Sequence, residues 1–463
     1  MERMSSVDAA WLRMEEPANL MMITAVLWFD EPPDWERLKA VVRERMVERF
    51  PRFRQRVVMP EGVLGAPHWE EDPDFRLEAH VGHAVVPPPG DRAALEELVS
   101  QWMSTPLERS RPLWQLHVVE GFGQGGALLA RLHHALADGI ALARVLLSLM
   151  DESAVEEHFA PEPAPAPRAA QPGWLKLVRG ARSVVKGTRA ALKRGAELFA
   201  EPIQLGDMVR TGARGAATLG RLAAMSADPL TVLRGPLGTA KRAVWSDPIP
   251  LEEVKALGRA MESTINDVLL AALTGALRRY LVERGGEPVD VRAFVPVNLR
   301  PLDEPIPREL GNRFGLVFLQ LPVHEAEPRR RLKELKRRMD ELKRSPEAAV
   351  TFGLLGVVGL MPTAVEQRIV EVLGPRGTLV MTNVPGPRHA VYLAGTRLAG
   401  LMFWVPQAAK VALGVSIFSY AGQVTVGVSV DAGLVPDPHR LVSTFQDELR
   451  ALAAVASEEE SAS

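Results

Sequence analysis

Arg131-Leu132-His133-His134-Ala135-Leu136-Ala137-Asp138-Gly139 is the stretch from which the fold is read. Upstream, Ala127 to Leu132 is a short run of Ala, Leu and Arg behind Gly121, Gly123, Gly125 and Gly126. That pattern predicts a strand after a tight turn. Downstream, Ile140 to Met150 is apolar and rich in Ala and Leu, which predicts a buried helix. The two histidines therefore stand where a strand hands over to a helix.

A neutral imidazole takes a proton near pH 7, which an unaided Ser or Lys does not. Neighbours on an extended segment point to opposite sides, so only one of His133 and His134 faces a given cavity. Asp138 lies one helical turn beyond His134, where its carboxylate either holds the imidazole or locks the turn. Gly139 is expected to supply a backbone conformation closed to other residues. The competing reading is a pair of satisfied core histidines. A metal site is a third: neighbouring histidines do not easily reach one ion, and a helical His-Glu-x-x-His pattern is absent.

With 463 residues the chain is long enough for two or three domains, and 47% hydrophobic residues supply large cores. A formal net charge of −2 argues against a globally basic surface for nucleic acid. Cysteine is absent, which excludes a thiol nucleophile, a thiolate zinc site and disulfides. Met1 to Glu16 has no apolar core of a signal peptide. The apolar run from about Phe352 to Pro362 falls short of the roughly 20 residues a bilayer span needs.

In chain order, Ser5–Glu16 predicts a helix capped by Ser5 or Ser6, with Trp11 and Leu12 inward. Strands are expected at Asn19–Phe29, after Pro51–Arg56, within Phe75–Val86 and at Gln115–Val119. Helices are expected at Asp34–Phe50 and Arg92–Met103. Arg54 and Arg56 read as solvated or structural, with binding of a ligand's phosphate groups as the alternative. Asp151–Pro172 is a Pro/Ala linker. Trp174–Phe199 is strongly basic, with Lys176, Arg179, Arg182, Lys186, Arg189, Lys193 and Arg194 among Trp174, Leu175, Val178, Val185 and Leu192. It reads as a solvated surface helix or as a segment lying on an anionic lipid surface. A second patterned region starts near Arg242. It predicts strands at Ala243–Pro250, Val291–Val297, Phe314–Val323, Thr378–Asn383, Leu398–Trp404, Val411–Ser419 and Gln423–Val430. Its helices are expected at Leu251–Met261, Thr264–Glu283, Ala326–Lys343 and His439–Val455. Ser457–Ser463 reads as a disordered acidic tail.

The HHxxxDG pattern is joined, in order, by Pro112-Leu113-Trp114, Asn266-Asp267, Val295-Pro296-Val297-Asn298-Leu299-Arg300, Gly311-Asn312-Arg313 and Asn383-Val384-Pro385-Gly386-Pro387. Together these resemble the wax ester synthase/diacylglycerol acyltransferase family, within the superfamily of CoA-dependent acyltransferases that includes chloramphenicol acetyltransferase and peptide-synthetase condensation domains. The resemblance runs from Asp8-Ala9-Ala10-Trp11 to about Val455.

It implies an α/β fold: two chloramphenicol-acetyltransferase-like mixed-sheet domains joined by a long linker, with an active-site tunnel between them. The expected boundaries are 1–160, a 161–240 linker and basic segment, 241–456, and the 457–463 tail. The implied reaction moves a long-chain fatty acyl group from acyl-CoA to a fatty alcohol or diacylglycerol. His134 is the implied general base, His133 supports the loop, and Asp138 is expected to pair with Arg300. Gly139, Asn266 and Asp267 are supporting residues, with an N-cap as the competing role of Asn266. Pro112, Leu113, Trp114, Asn383, Pro385 and Gly386 are expected along the tunnel. No metal and no cofactor are implied, acyl-CoA being a substrate. The expected location is the cytoplasm, in peripheral contact with membrane or lipid inclusions. The alternatives are a condensation-type or polyketide-associated acyltransferase with a carrier-bound donor, and a non-catalytic lipid-binding protein.

Overall fold

In the computed structural model, which describes residues 2–60, 66–154, 220–222, 224–299, 305–358, 371–372, 374–407 and 411–462, the strands follow the apolar runs closely. The first half of the chain contributes β1 (Glu2–Arg3), β2 (Met22–Phe29), β3 (Gln55–Val58), β4 (His68–Glu71), β5 (Val81–Val85), β6 (Trp114–Glu120) and β7 (Gly126–His133). The second half contributes β8 (Lys241–Trp245), β9 (Ile249–Pro250), β10 (Val291–Asn298), β11 (Phe314–Leu321), β12 (Leu379–Pro385), β13 (Tyr392–Leu393), β14 (Thr396–Trp404), β15 (Leu413–Tyr420) and β16 (Gln423–Asp431). The helices are α1 (Ser6–Arg13), α2 (Trp35–Val42), α3 (Arg92–Met103), α4 (Gly139–Leu147), α5 (Leu251–Ala260), α6 (Ile265–Glu283), α7 (Pro328–Lys343), α8 (Glu347–Val358) and α9 (Pro438–Ala462).

The described residues of 1–156 and 225–463 form one compact unit. It holds two large sheets and a small one, β1-β4-β3. One large sheet has the order β13-β14-β2-β7-β6-β5. The other runs β11-β10-β12-β15-β16-β8, with β9 beside β16. The second is mixed: β12 runs parallel to β10 and β15, and the remaining pairs are antiparallel. Each sheet has its own core, the first around α2, α3 and α4 and the second around α6, α7 and α9. β2 is buried along nearly its whole length because it lies between β14 and β7 with both faces covered, so its sequence is apolar apart from Thr24.

Two sequence expectations are corrected. Leu398–Trp404 is a strand, but it joins the first large sheet: β14 pairs with β2, Leu401 facing Leu27. The final helix continues to Ala462, beyond the expected Val455 and through most of the supposed disordered tail. Ala451 to Glu460 contains strong helix formers and neither Gly nor Pro, so no local signal ends it. The apolar run from Phe352 opens as part of α8, whose Thr351 hydroxyl bonds to both main-chain groups of Leu316 on β11. The basic stretch Trp174–Phe199 and the Pro/Ala series from Pro161 lie outside the described residues. No helix among the described residues is long and apolar enough to cross a membrane.

Candidate active site

The two histidines continue the β7 ladder. His133 is the last paired residue, opposite Met22, and its N–H donates to Leu113 O at 2.9 Å. The His134 N–H donates to Met21 O at 2.7 Å. Asp138 then caps α4, its Oδ1 accepting from Ala141 N–H at 2.9 Å. The junction read from the sequence is therefore pinned on both sides by main-chain bonds.

The two rings meet different surroundings. His133 Nδ1 accepts from Ala135 N–H at 3.0 Å, which puts the proton of the neutral ring on Nε2. That atom lies 3.5 Å from Glu15 Oε1. Arg109 holds the other oxygen of Glu15. Burial alone would raise the Glu15 carboxyl, but the adjacent His133 ring and Arg109 outweigh it and hold it down at about 2. His134 is stacked on Trp11, centroids 4.2 Å apart, with Phe314 tilted at 5.5 Å. Burial in this apolar box, aided by the nearby His133, pushes its pKa down to about 3. Its Nδ1 is buried and has no hydrogen-bond partner among the described residues. Aromatic packing, not a carboxylate, orients this ring.

Two carboxylates tie the histidine loop to the strand opposite. Asp8 Oδ1 accepts from the N–H and Nδ2 of Asn312 at 3.0 and 2.8 Å. Asn312 Nδ2 also donates to His134 O at 2.8 Å. Asp138 Oδ2 accepts from Arg313 N–H at 3.0 Å. Residues 312 and 313 lead directly into β11. Gly311 before them has φ +151°, and a Cβ there would point at Asp8 Oδ2, 3.5 Å away.

Beside His134 a cleft opens between the two large sheets. Its walls include Trp11, Asp138 and Gly139, then Pro296 and Asn298 of β10, Phe314 and Leu316 of β11, Thr382 and Asn383 of β12, and Phe403 of β14. Asn383 Nδ2 donates to Asn266 Oδ1 at 2.6 Å, so these two expected residues meet at the rim. Asn266 is not an N-cap. Thr264 caps α6 and closes a capping box with Asp267, which is buried.

Other expected residues have different positions. Trp114 is fully buried, and its indole N–H donates to Phe53 O at 2.8 Å, away from the cavity wall. Leu113 and Pro112 are also buried, and they act through main-chain bonds, Leu113 O holding His133 and Pro112 O accepting from Trp114 N–H. Gly386 permits close packing, since a Cβ would sit 2.4 Å from the Phe418 ring, while Pro385 ends β12. Gly139 does not adopt the left-handed backbone expected of it; it is the first residue of α4, and what it offers is space. Arg300, the expected partner of Asp138, lies outside the described residues. Arg54 and Arg56 pair with Glu71 and Glu70.

Sequence reasoning missed Asp8, Glu15 and Asn312 as site residues and read Trp11 only as packing inward. The signals were present in Asp8-Ala9-Ala10-Trp11 and Gly311-Asn312-Arg313, but nothing local tied either stretch to the histidines.

Comparison with known proteins bears on the whole chain. Residues 4–269 match the wax ester synthase/diacylglycerol acyltransferase catalytic domain, and residues 310–453 match the WS/DGAT C-terminal domain. A relative from Mycobacterium tuberculosis named "Probable diacyglycerol O-acyltransferase tgs1" is 30% identical, covering 98% of this chain and 96% of its own. A relative from Mycobacterium bovis has the same figures and is named for the same activity. The structure of the wax ester synthase/diacylglycerol acyltransferase from Marinobacter aquaeolei VT8 superposes with a TM-score of 0.70 at 24% identity, covering 99% of this chain and 100% of that one. The first condensation domain of the calcium-dependent antibiotic synthetase shares the fold, with a TM-score of 0.59 at 17% identity over 98% of this chain and 96% of its own.

Proposed function

Because this chain belongs to the wax ester synthase/diacylglycerol acyltransferase family and is an acyltransferase, we propose that it moves a long-chain fatty acyl group from acyl-CoA to a fatty alcohol or diacylglycerol, with His134 as general base. The observation that carries this reading is the position of His134 on the wall of a largely apolar cavity between the two sheets.

An alcohol is a poor nucleophile at neutral pH. His134 accepts its proton as the oxygen attacks the thioester carbonyl, and the carbonyl π pair moves onto oxygen. The tetrahedral intermediate collapses, the C–S bond breaks, and the CoA sulfur leaves with the proton returned by the imidazolium. The products are an ester and free CoA thiol. Burial holds His134 neutral at pH 7, so all of it is in the base form. The same burial makes the imidazolium short-lived and favours prompt return of the proton to the leaving sulfur. These steps use the two substrates and this chain's own groups. Asp8, Asn312 and Asp138 hold the loop that carries the base.

The lipid substrates call for contact with a lipid surface. The basic stretch Trp174–Phe199 is the proposed peripheral anchor, checked by salt-sensitive binding to anionic vesicles.

Thiol release from acyl-CoA, followed across a panel of alcohols and diacylglycerol, tests the reaction. Release that does not depend on an acceptor would overturn it. His134→Ala is expected to lower turnover by about 10²–10⁴-fold, with His133→Ala milder. The reverse order would move the base to His133.

A further inference from the structure

Three residues at the start of the chain reach the histidine loop. Asp8 and Trp11 belong to α1, and Glu15 follows its C-cap Met14, where the backbone still turns with φ −71° and ψ −10°. Spacings of three and four place all three on one face. Each meets a different part of the loop. Trp11 stacks on the His134 ring. Asp8 holds Asn312, which donates to His134 O. Glu15 stands beside His133 Nε2.

The last two contacts converge on one peptide plane. The His134 carbonyl and the Ala135 N–H belong to the same rigid unit. Its oxygen accepts from Asn312 Nδ2 at 2.8 Å, and its N–H donates to His133 Nδ1 at 3.0 Å. Nδ1 accepts only while the His133 proton sits on Nε2. Nε2 is buried, has no hydrogen-bond partner among the described residues, and has Glu15 Oε1 at 3.5 Å. That is longer than an ordinary hydrogen bond, so the carboxylate acts by its charge, which favours a proton on the ring nitrogen facing it. The Glu15 side chain is itself buried, and Arg109 fixes its other oxygen. Its carboxyl is held at about 2, so the charge persists at neutral pH. Neither Glu15 nor His133 lies on the wall of the cleft.

We propose that Glu15 is a positioning residue for the base: by keeping the His133 proton on Nε2 it fixes the His134–Ala135 peptide plane, and with it the direction in which the His134 ring meets the alcohol. Glu15 touches neither substrate. The role rests on His134 being the base of the acyl transfer. Glu15→Gln keeps the shape of the side chain and reverses the pattern. Arg109 only donates, so it takes the amide oxygen and turns the amide N–H group toward His133. The ring proton then moves to Nδ1, where it faces the Ala135 N–H, and that bond is lost.

The test uses the full-length protein carrying ¹⁵N-labelled histidine. Long-range ¹H–¹⁵N spectra distinguish the two tautomers, and the His133 signals are assigned by their loss in His133→Ala. The expected result is a proton on Nε2 in the wild type and on Nδ1 in Glu15→Gln. Hydrogen exchange at Ala135, read by mass spectrometry, should be faster in the variant. Its kcat should fall about ten- to hundred-fold at an unchanged KM for acyl-CoA. Adding Glu15→Gln to His133→Ala should cost nothing further, because Glu15 acts through that ring. A wild-type proton on Nδ1 overturns the proposal, as does a folded Glu15→Gln whose tautomer and exchange do not change. A further loss in the double variant overturns it too. If Glu15→Gln does not fold, the wild-type tautomer and Glu15→Asp decide, the latter expected to lower kcat at an unchanged KM. The spectra and the exchange need no turnover, so their failure is distinguishable from failure of the thiol-release test of the reaction.

Discussion

Both carboxylate oxygens of Asp138 accept from main-chain N–H groups, one from Ala141 and one from Arg313. An amide in its place keeps one acceptor and turns a donor toward the other N–H. Asp138→Asn is therefore expected to destabilise the fold by about 1–3 kcal/mol, the cost of a buried polar group left without its partner. The thermal midpoint should fall together with activity. An unchanged midpoint in Asp138→Asn would show that this clamp is not structural. Asp138 and the histidines were legible because they are contiguous and sit where strand periodicity gives way to helix. The groups around them were not. Trp11 and Glu15 come from more than a hundred residues upstream and Asn312 from nearly two hundred downstream, and only the tertiary fold brings them together. Gly139 shows the limit in another form: a glycine that makes room and a glycine that makes a turn look alike in one sequence.

At the scale of elements, α8 and β11 approach so closely that a Cβ on Gly315 would sit 1.8 Å from the main-chain oxygen of Ala348. Neither backbone can yield without moving the whole helix. Gly315→Ala should displace α8 from β11, whose neighbouring Phe314 and Leu316 line the cavity. Overpacking of this kind typically destabilises by about 1–3 kcal/mol. A lower thermal midpoint with impaired turnover is the expected result, and wild-type behaviour in both would contradict the contact. Most strands and helices were legible because each pairs a periodic apolar pattern with local end signals, as Asp91 before α3 and Thr264 before α6 illustrate. α8 was not assigned because it is apolar on nearly every side and gives no periodic signal. β14 was found as a strand, but no local pattern shows which sheet a strand joins.

For the molecule as a whole, buried histidines set the response to acid. Burial holds His134 at about 3; burial, with the charges of Arg131 and His83, holds His117 at about 4. Both return to about 6.5 on unfolding. Between these values the unfolded chain takes up protons that the folded chain refuses, so stability falls as pH drops below about 6.5. The slope is at most about 1.4 kcal/mol per pH unit for His134 and smaller for the half-buried, solvent-screened His117. Asp8, raised by burial against bonds from Ser5 and Asn312, acts in the opposite direction in the carboxylate range. A thermal midpoint lower at pH 5 than at pH 7 is expected, and an equal one would count against neutral buried histidines. The seam between β14 and β2 has a further consequence, for how the chain is made. Beside it, Asp30 and Arg397 bond at 2.7 Å although 367 residues separate them. At about 5–20 residues per second, roughly 20–70 s of synthesis pass between one partner leaving the ribosome and the other. Through that interval the nascent β2 has an unpaired edge, available to any neighbouring extended chain. The yield of soluble protein should then depend on how fast translation covers the residues between these two strands, and on what shields that edge while it waits.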